Sequence, residues 1–137
     1  MANIIINDGL EKVTINGDEN RAFYFNPTDF NLSKRLRDSL NSINKKIAEL
    51  CSKEEELGDD YIELFDQLGN LVKEEIDNVF NAPVSKAVFG QVSPLAIIEG
   101  KMYFSYVFDA LMPIIENRLE ESKQAMERHT AKYVNKE

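Results

Sequence analysis

Hydrophobic positions recur along this chain with two different periods. Over the first 25 residues the period is two. Ile4 and Ile6, Val13 and Ile15, and Phe23 and Phe25 alternate with other positions, as in strands with one buried face. Asn3–Ile6, Lys12–Ile15 and Arg21–Phe25 therefore read as strands. Asn7-Asp8-Gly9 and Asn16-Gly17 lie between them, and Asp-Gly and Asn-Gly supply the positive φ of tight hairpins. The pattern predicts a three-stranded antiparallel meander over 3–25, with those six apolar residues facing inward. So small a sheet must lay that face on helices.

At Asn26-Pro27-Thr28-Asp29 the period changes. Thr28 or Asp29 can cap a helix, and proline is tolerated at a helix start. Leu32, Leu36, Leu40, Ile43, Ile47 and Leu50 then recur at spacings of 4, 4, 3, 4 and 3, a helical stripe of coiled-coil type. Leu57-Gly58 marks its end. Asp59 and Asp60 suit a helix N-terminus. Tyr61, Leu64, Phe65, Leu68, Leu71, Val72, Ile76, Val79 and Phe80 form a second amphipathic helix. The short connection predicts that it packs antiparallel to the first.

Pro83, Gly90 and Pro94 then interrupt the pattern. The interruption is itself apolar, holding Val84, Val88, Phe89 and Val92 after Val79 and Phe80. A solvated linker gains nothing from such residues. Either this break folds onto the core or it is a docking surface. Ser93-Pro94 reads as the start of a third helix running towards Lys132, with a kink at Pro113. Its first half is apolar on most sides, with Tyr103, Phe104, Tyr106, Val107, Phe108 and Leu111, and beyond Leu119 it is almost wholly polar. The expected fold is α+β and mainly α: the meander packed on a three-helix body with a long, kinked last helix. Residues 1–119 form one compact domain in this reading, and 120–137 a polar helical tail that frays at its tip.

Composition removes several function classes. With 43% hydrophobic residues the chain can build a core, yet no apolar run approaches the ~20 residues of a membrane span. The start, MANIIINDG, lacks the basic region of a signal peptide. The net charge of -8 opposes nucleic-acid binding, which needs clustered Lys and Arg. Charge is uneven: Lys34, Arg35, Arg37, Lys45 and Lys46 precede Glu54, Glu55, Glu56, Asp59 and Asp60. Solvated helix ends account for this, and a basic patch for an acidic partner is the sharper reading.

No catalytic constellation is legible. His129 is the one histidine and lies in the polar tail. Cys51, the one cysteine, has no base to activate it and reads as a semi-buried structural thiol. The six glycines are scattered, so no phosphate loop forms. Glu74, Glu75, Asp77, Glu116, Glu120 and Glu121 include no Glu-x-x-His and no EF-hand spacing. No catalytic, cofactor or metal residues are assigned. The residues singled out for partner binding are Val79, Phe80, Val88 and Phe89 in the break, with Tyr103, Tyr106 and Phe108 on the third helix. Each also fits a core position.

Three stretches carry a family likeness. Tyr24–Leu36 reads YFNPTDFNLSKRL, an F-x-F-N-P-x-D element running into a helix. Ile76–Gly90 reads IDNVFNAPVSKAVFG, and Tyr103–Leu119 reads YFSYVFDALMPIIENRL. In order and layout they resemble tail assembly chaperones of long-tailed, siphovirus-type phages and prophages of Gram-positive bacteria. The likeness covers most of the chain. It departs at Asn81, where glycine is usual after Val79-Phe80. It implies a non-enzymatic protein of the bacterial host cytoplasm that holds the tape-measure protein soluble until tail-tube protein polymerises around it. Such a protein is absent from the mature virion; many of these systems also make a longer, frameshifted form. The surplus aromatic face of the third helix separately predicts self-association through its apolar half. Two other readings fit the same residues: a structural tail or head-completion protein retained in the virion, and a bacterial helical adaptor.

Overall fold

A computed structural model describes residues 1–135, and the last two positions of the expected tail lie outside them. The fold is α+β. A hairpin of β1 (Glu11–Ile15) and β2 (Asp18–Phe25) is followed by α1 (Phe30–Cys51), one turn of helix α2 (Glu54–Leu57), and α3 (Asp60–Phe80). Then come the short α4 (Ser85–Phe89), a miniature hairpin of β3 (Ile97–Ile98) and β4 (Lys101–Met102), and the long α5 (Tyr103–Asn135).

The Asn16-Gly17 turn forms as the residues require, with positive φ at both positions. Phe23 and Phe25 point into the core. The expected first strand does not form. Ile4, Ile5 and Ile6 are 78%, 92% and 75% exposed, so the meander is a two-stranded hairpin with an extended arm. The reason lies in residues 7–10. The Gly9 and Leu10 amides donate to the side chains of Asn7 and Asp8, and Asn26 Nδ2 donates to the Asp8 carbonyl. These local bonds carry the chain past the end of the hairpin instead of reversing it along β1.

Asp29 caps α1 by accepting from the Asn31 amide at 2.9 Å. The α1–α3 pair is antiparallel: Arg35 Nε, near the start of α1, donates to the Val79 carbonyl at the end of α3, while Tyr61 at the start of α3 reaches Cys51 at the end of α1. Leu36, Ile43, Val72 and Ile76 fill the seam. The first helix ends at Cys51, not at 57. Three glutamates at a helix C-terminus would oppose its dipole; a new turn places Glu54, Glu55 and Glu56 at an N-terminus, where they are favourable. Cys51 is exposed, which corrects its semi-buried placement.

The third helix starts nine residues later than its Ser93-Pro94 signature implies. Glu99 and Gly100 both have positive φ, the geometry of a tight hairpin turn and incompatible with a helix. That turn folds Ile97-Ile98 onto Lys101-Met102, and α5 begins directly after it. The Tyr103 and Phe104 amides donate back to the Ala96 and Pro94 carbonyls. Helix α5 then continues through Pro113, whose ring lies on the exposed side.

Candidate docking surfaces

The break after α3 is core. Asn81 sits in the left-handed region at φ 52°, ψ 41°, the conformation glycine usually supplies at a helix end and asparagine tolerates. The Asn81 amide donates to the Asn78 carbonyl and the Ala82 amide to the Asp77 carbonyl, closing α3 in a Schellman motif. Asn81 thus makes the turn that a glycine would make. Asp77 also receives the Ser85 amide at 2.6 Å and its hydroxyl at 2.8 Å. One carboxylate therefore ties the end of α3 to the start of α4.

Helix α4 touches β1, β2, α3 and α5. Val84, Val88 and Phe89 are fully buried. Its C-terminal carbonyls meet a group that sequence reasoning passed over. Arg21 Nε donates to the Ala87 carbonyl at 2.9 Å and Nη2 to the Val88 carbonyl at 2.9 Å. Nη2 also bonds the Tyr103 hydroxyl at 3.2 Å. Gly90 packs under this guanidinium; a Cβ there would lie 3.1 Å from Arg21 Nε.

The seven proposed partner-binding residues divide accordingly. Val79, Phe80, Val88, Phe89 and Phe108 are buried, so their apolar surface is already covered by this chain and offers nothing to a partner in this fold. Phe80 packs edge-on against Phe25 and Phe23, and Phe89 against Tyr103. Tyr103 and Tyr106 are half-buried and reach an open groove.

That groove, about 530 Å³, lies between β1 and α5. Val13 and Ile15 line one wall; Tyr106, Val107 and Ile114 line the other. The Tyr106 hydroxyl donates to the Ile98 carbonyl at 2.8 Å, and Lys101 Nζ sits 4.7 Å over its ring. Near the opposite end, Arg118 grips Glu11 through two bonds of 3.0 Å, pinning the start of β1 to α5. Arg118 holds the Glu11 carboxyl below the usual carboxylate range. Because the folded state lowers that pKa, the pair stabilises the fold above the ordinary carboxylate value, and its contribution is lost as pH falls through the lowered one. Arg118→Ala should thus be slightly less stable than the parent at neutral pH. Thermal melts should show that gap closing below about pH 4.

A second trough, about 520 Å³, runs along the far end of the α1–α3 pair. Its floor is Leu50, Leu57, Leu64, Leu68 and Leu71, and its rim includes Lys46 on α1 and Lys53 just after it. Leu64, Leu68 and Leu71 lie on one face of α3 at spacings of four and three, and Leu57 joins them from α2. Sequence periodicity held the signal for this trough: the apolar stripe of α3 is wider than one packed neighbour covers. A third crevice of about 430 Å³ holds Ser39 and Glu75, whose Oγ and Oε2 atoms are buried without a protein partner among the described residues.

Of the basic cluster, Arg35 and Arg37 are engaged within the chain, with Asp29 and Glu116. His129 lies on the exposed last part of α5. Among the described residues no three His, Cys, Asp or Glu side chains gather as a metal site, and no helix is long and apolar enough to cross a membrane. No protein family, characterised protein or solved structure matches this chain.

Proposed function

We propose that this protein is a tail assembly chaperone. It binds the apolar helices of a phage tape-measure protein in the host cytoplasm and keeps them soluble until tail-tube protein polymerises around them, and it leaves before the virion is complete. The role is holding and involves no catalysis. The observation that carries this reading is the leucine trough on α1 and α3. The i, i+4, i+7 leucines of its floor, Leu64, Leu68 and Leu71 on α3, suit an amphipathic helix, which presents its own apolar residues at the same intervals. A helix seated there would complete the α1–α3 pair as a third member. The strongly acidic chain keeps such a complex dispersed. The order of the three family-like stretches supports the same assignment.

Co-expression with the tape-measure protein, followed by size-exclusion chromatography with light scattering, tests it. The wild-type chain should keep that partner soluble and co-elute with it in several copies. Leu64→Asp should weaken the complex at least ~30-fold, because the complex would bury a carboxylate against apolar surface. Its melting temperature should stay near the parent's, since Leu64 is already 36% exposed. Ile62→Asp, exposed but outside the trough, is the matched control and should bind normally. If the partner precipitates while this chain elutes alone, the holding role fails. Mass spectrometry of purified particles then decides whether the chain is a retained virion component.

A further inference from the structure

The groove between β1 and α5 is separate from the leucine trough. Three observations converge on it. First, β1 pairs only with β2, and among the described residues no other backbone bond reaches Glu11–Ile15. Its outer edge therefore presents unpaired N–H and C=O groups, and an open edge of this kind accepts another strand. Second, this edge borders an apolar groove walled by Val13, Ile15, Tyr106, Val107 and Ile114. A strand added to β1 would place alternate side chains over α5. Third, the chain carries a strand-forming segment that its own fold leaves uncovered. Ile4, Ile5 and Ile6 are exposed and β-branched, and no regular element includes them.

We propose that the Asn3–Asn7 arm of a second copy of this chain adds to the free edge of β1 as a third, antiparallel strand. The lengths agree: five extended residues span about 17 Å, as does the five-residue β1. The antiparallel register that sets Ile4 opposite Ile15 and Ile6 opposite Val13 brings the incoming Asp8 opposite Glu11, a like-charge pair that Arg118, bonded to Glu11, offsets only in part. Ile4 and Ile6 enter the groove, and Ile5 lies on the other face. An arm does not serve its own edge, because Asn26 holds Asp8 past the hairpin end. Reciprocal exchange about a two-fold axis closes a dimer, and one-way exchange builds a ring or chain. The inference stands independently of the tape-measure partner.

Light scattering on the purified full chain reads the outcome. The wild type should have the mass of a dimer or a larger assembly. Replacing all three isoleucines by asparagine (Ile4→Asn, Ile5→Asn, Ile6→Asn) should weaken assembly at least ~100-fold, given the apolar area each isoleucine buries. Far-UV circular dichroism and the melting temperature of the dissociated variant should match those of wild-type monomer, because the arm makes no core contact. A cross-linking pair identifies the route. In a Cys51→Ser background, one chain carries Ile5→Cys and a second, differently tagged chain carries Thr14→Cys. A disulfide between the two tagged chains on oxidation supports exchange. A monomeric wild type, an asparagine variant that assembles normally, or an efficient disulfide within one chain carrying both substitutions would overturn it.

Discussion

Phe89→Asp abolishes folding; it does not merely weaken a complex. Phe89 is fully buried at the end of α4 and packs edge-on against Tyr103, with ring centres 6.1 Å apart. Val84 and Val88 beside it are equally buried. Removing such a ring costs about 3–5 kcal/mol, from lost transfer energy and the cavity left behind. A domain of this size has only about 5–15 kcal/mol of stability. Phe89→Ala should therefore lower the urea midpoint by about 2 M, given a slope near 2 kcal/mol per molar. Aspartate adds a buried, unpaired carboxylate, worth several further kcal/mol. Urea titration followed by circular dichroism should give a lower but cooperative transition for the alanine variant and none for the aspartate. A folded Phe89→Asp chain would mean that the break is a surface.

Arg21→Ala should cost about 3 kcal/mol, more than an ordinary surface arginine. Its guanidinium bonds two consecutive carbonyls at the end of α4 and the Tyr103 hydroxyl. Charged hydrogen bonds contribute about 1.5–3 kcal/mol each and do not add fully, and stranding their buried partners adds a desolvation penalty. Lysine should not rescue the variant, because one ammonium cannot reproduce the fork that meets both carbonyls. Gly90 is the partner in this prediction. At φ 57°, ψ -121° it occupies backbone space that side chains rarely enter, and a Cβ would press on Arg21 Nε. Gly90→Ala should destabilise the parent by about 1–3 kcal/mol, and by less in an Arg21→Ala background. Urea unfolding of the four chains in this cycle measures that coupling.

Local chemistry made the hairpin, the two long helices and the Asn16-Gly17 turn legible, because each rests on a period or a turn residue read within a few positions. The break was legible as apolar, but its destination was not. Phe89 packs on Tyr103, and Arg21 bonds the two carbonyls before it; Arg21 lies far away in sequence, and no spacing rule links it to the break. The start of α5 was misplaced for a similar reason. Ser93-Pro94 is a valid helix-start signature, yet Gly100 behind Ile97-Ile98-Glu99 offers a hairpin turn, and the turn prevailed. The first strand failed where local hydrogen bonds at Asn7 and Asp8 outweighed a good alternating pattern. Of the seven residues first assigned to partners, only Tyr103 and Tyr106 reach an open groove. Aromatic content marks a surface and a core alike, and only tertiary packing separates them. The leucine trough follows from the unusual width of the α3 stripe.

Hydrogen exchange of the free chain, and of the chain bound to the tape-measure protein, tests most directly where the apolar surface goes. The account predicts that amides of Val84–Phe89 in the free chain are protected to near the global unfolding limit and do not change on binding. The same measurement should show new protection along 57–71 in the complex. Fast exchange at Val84–Phe89 in the free chain, suppressed when the partner binds, would contradict it and make the break the docking surface.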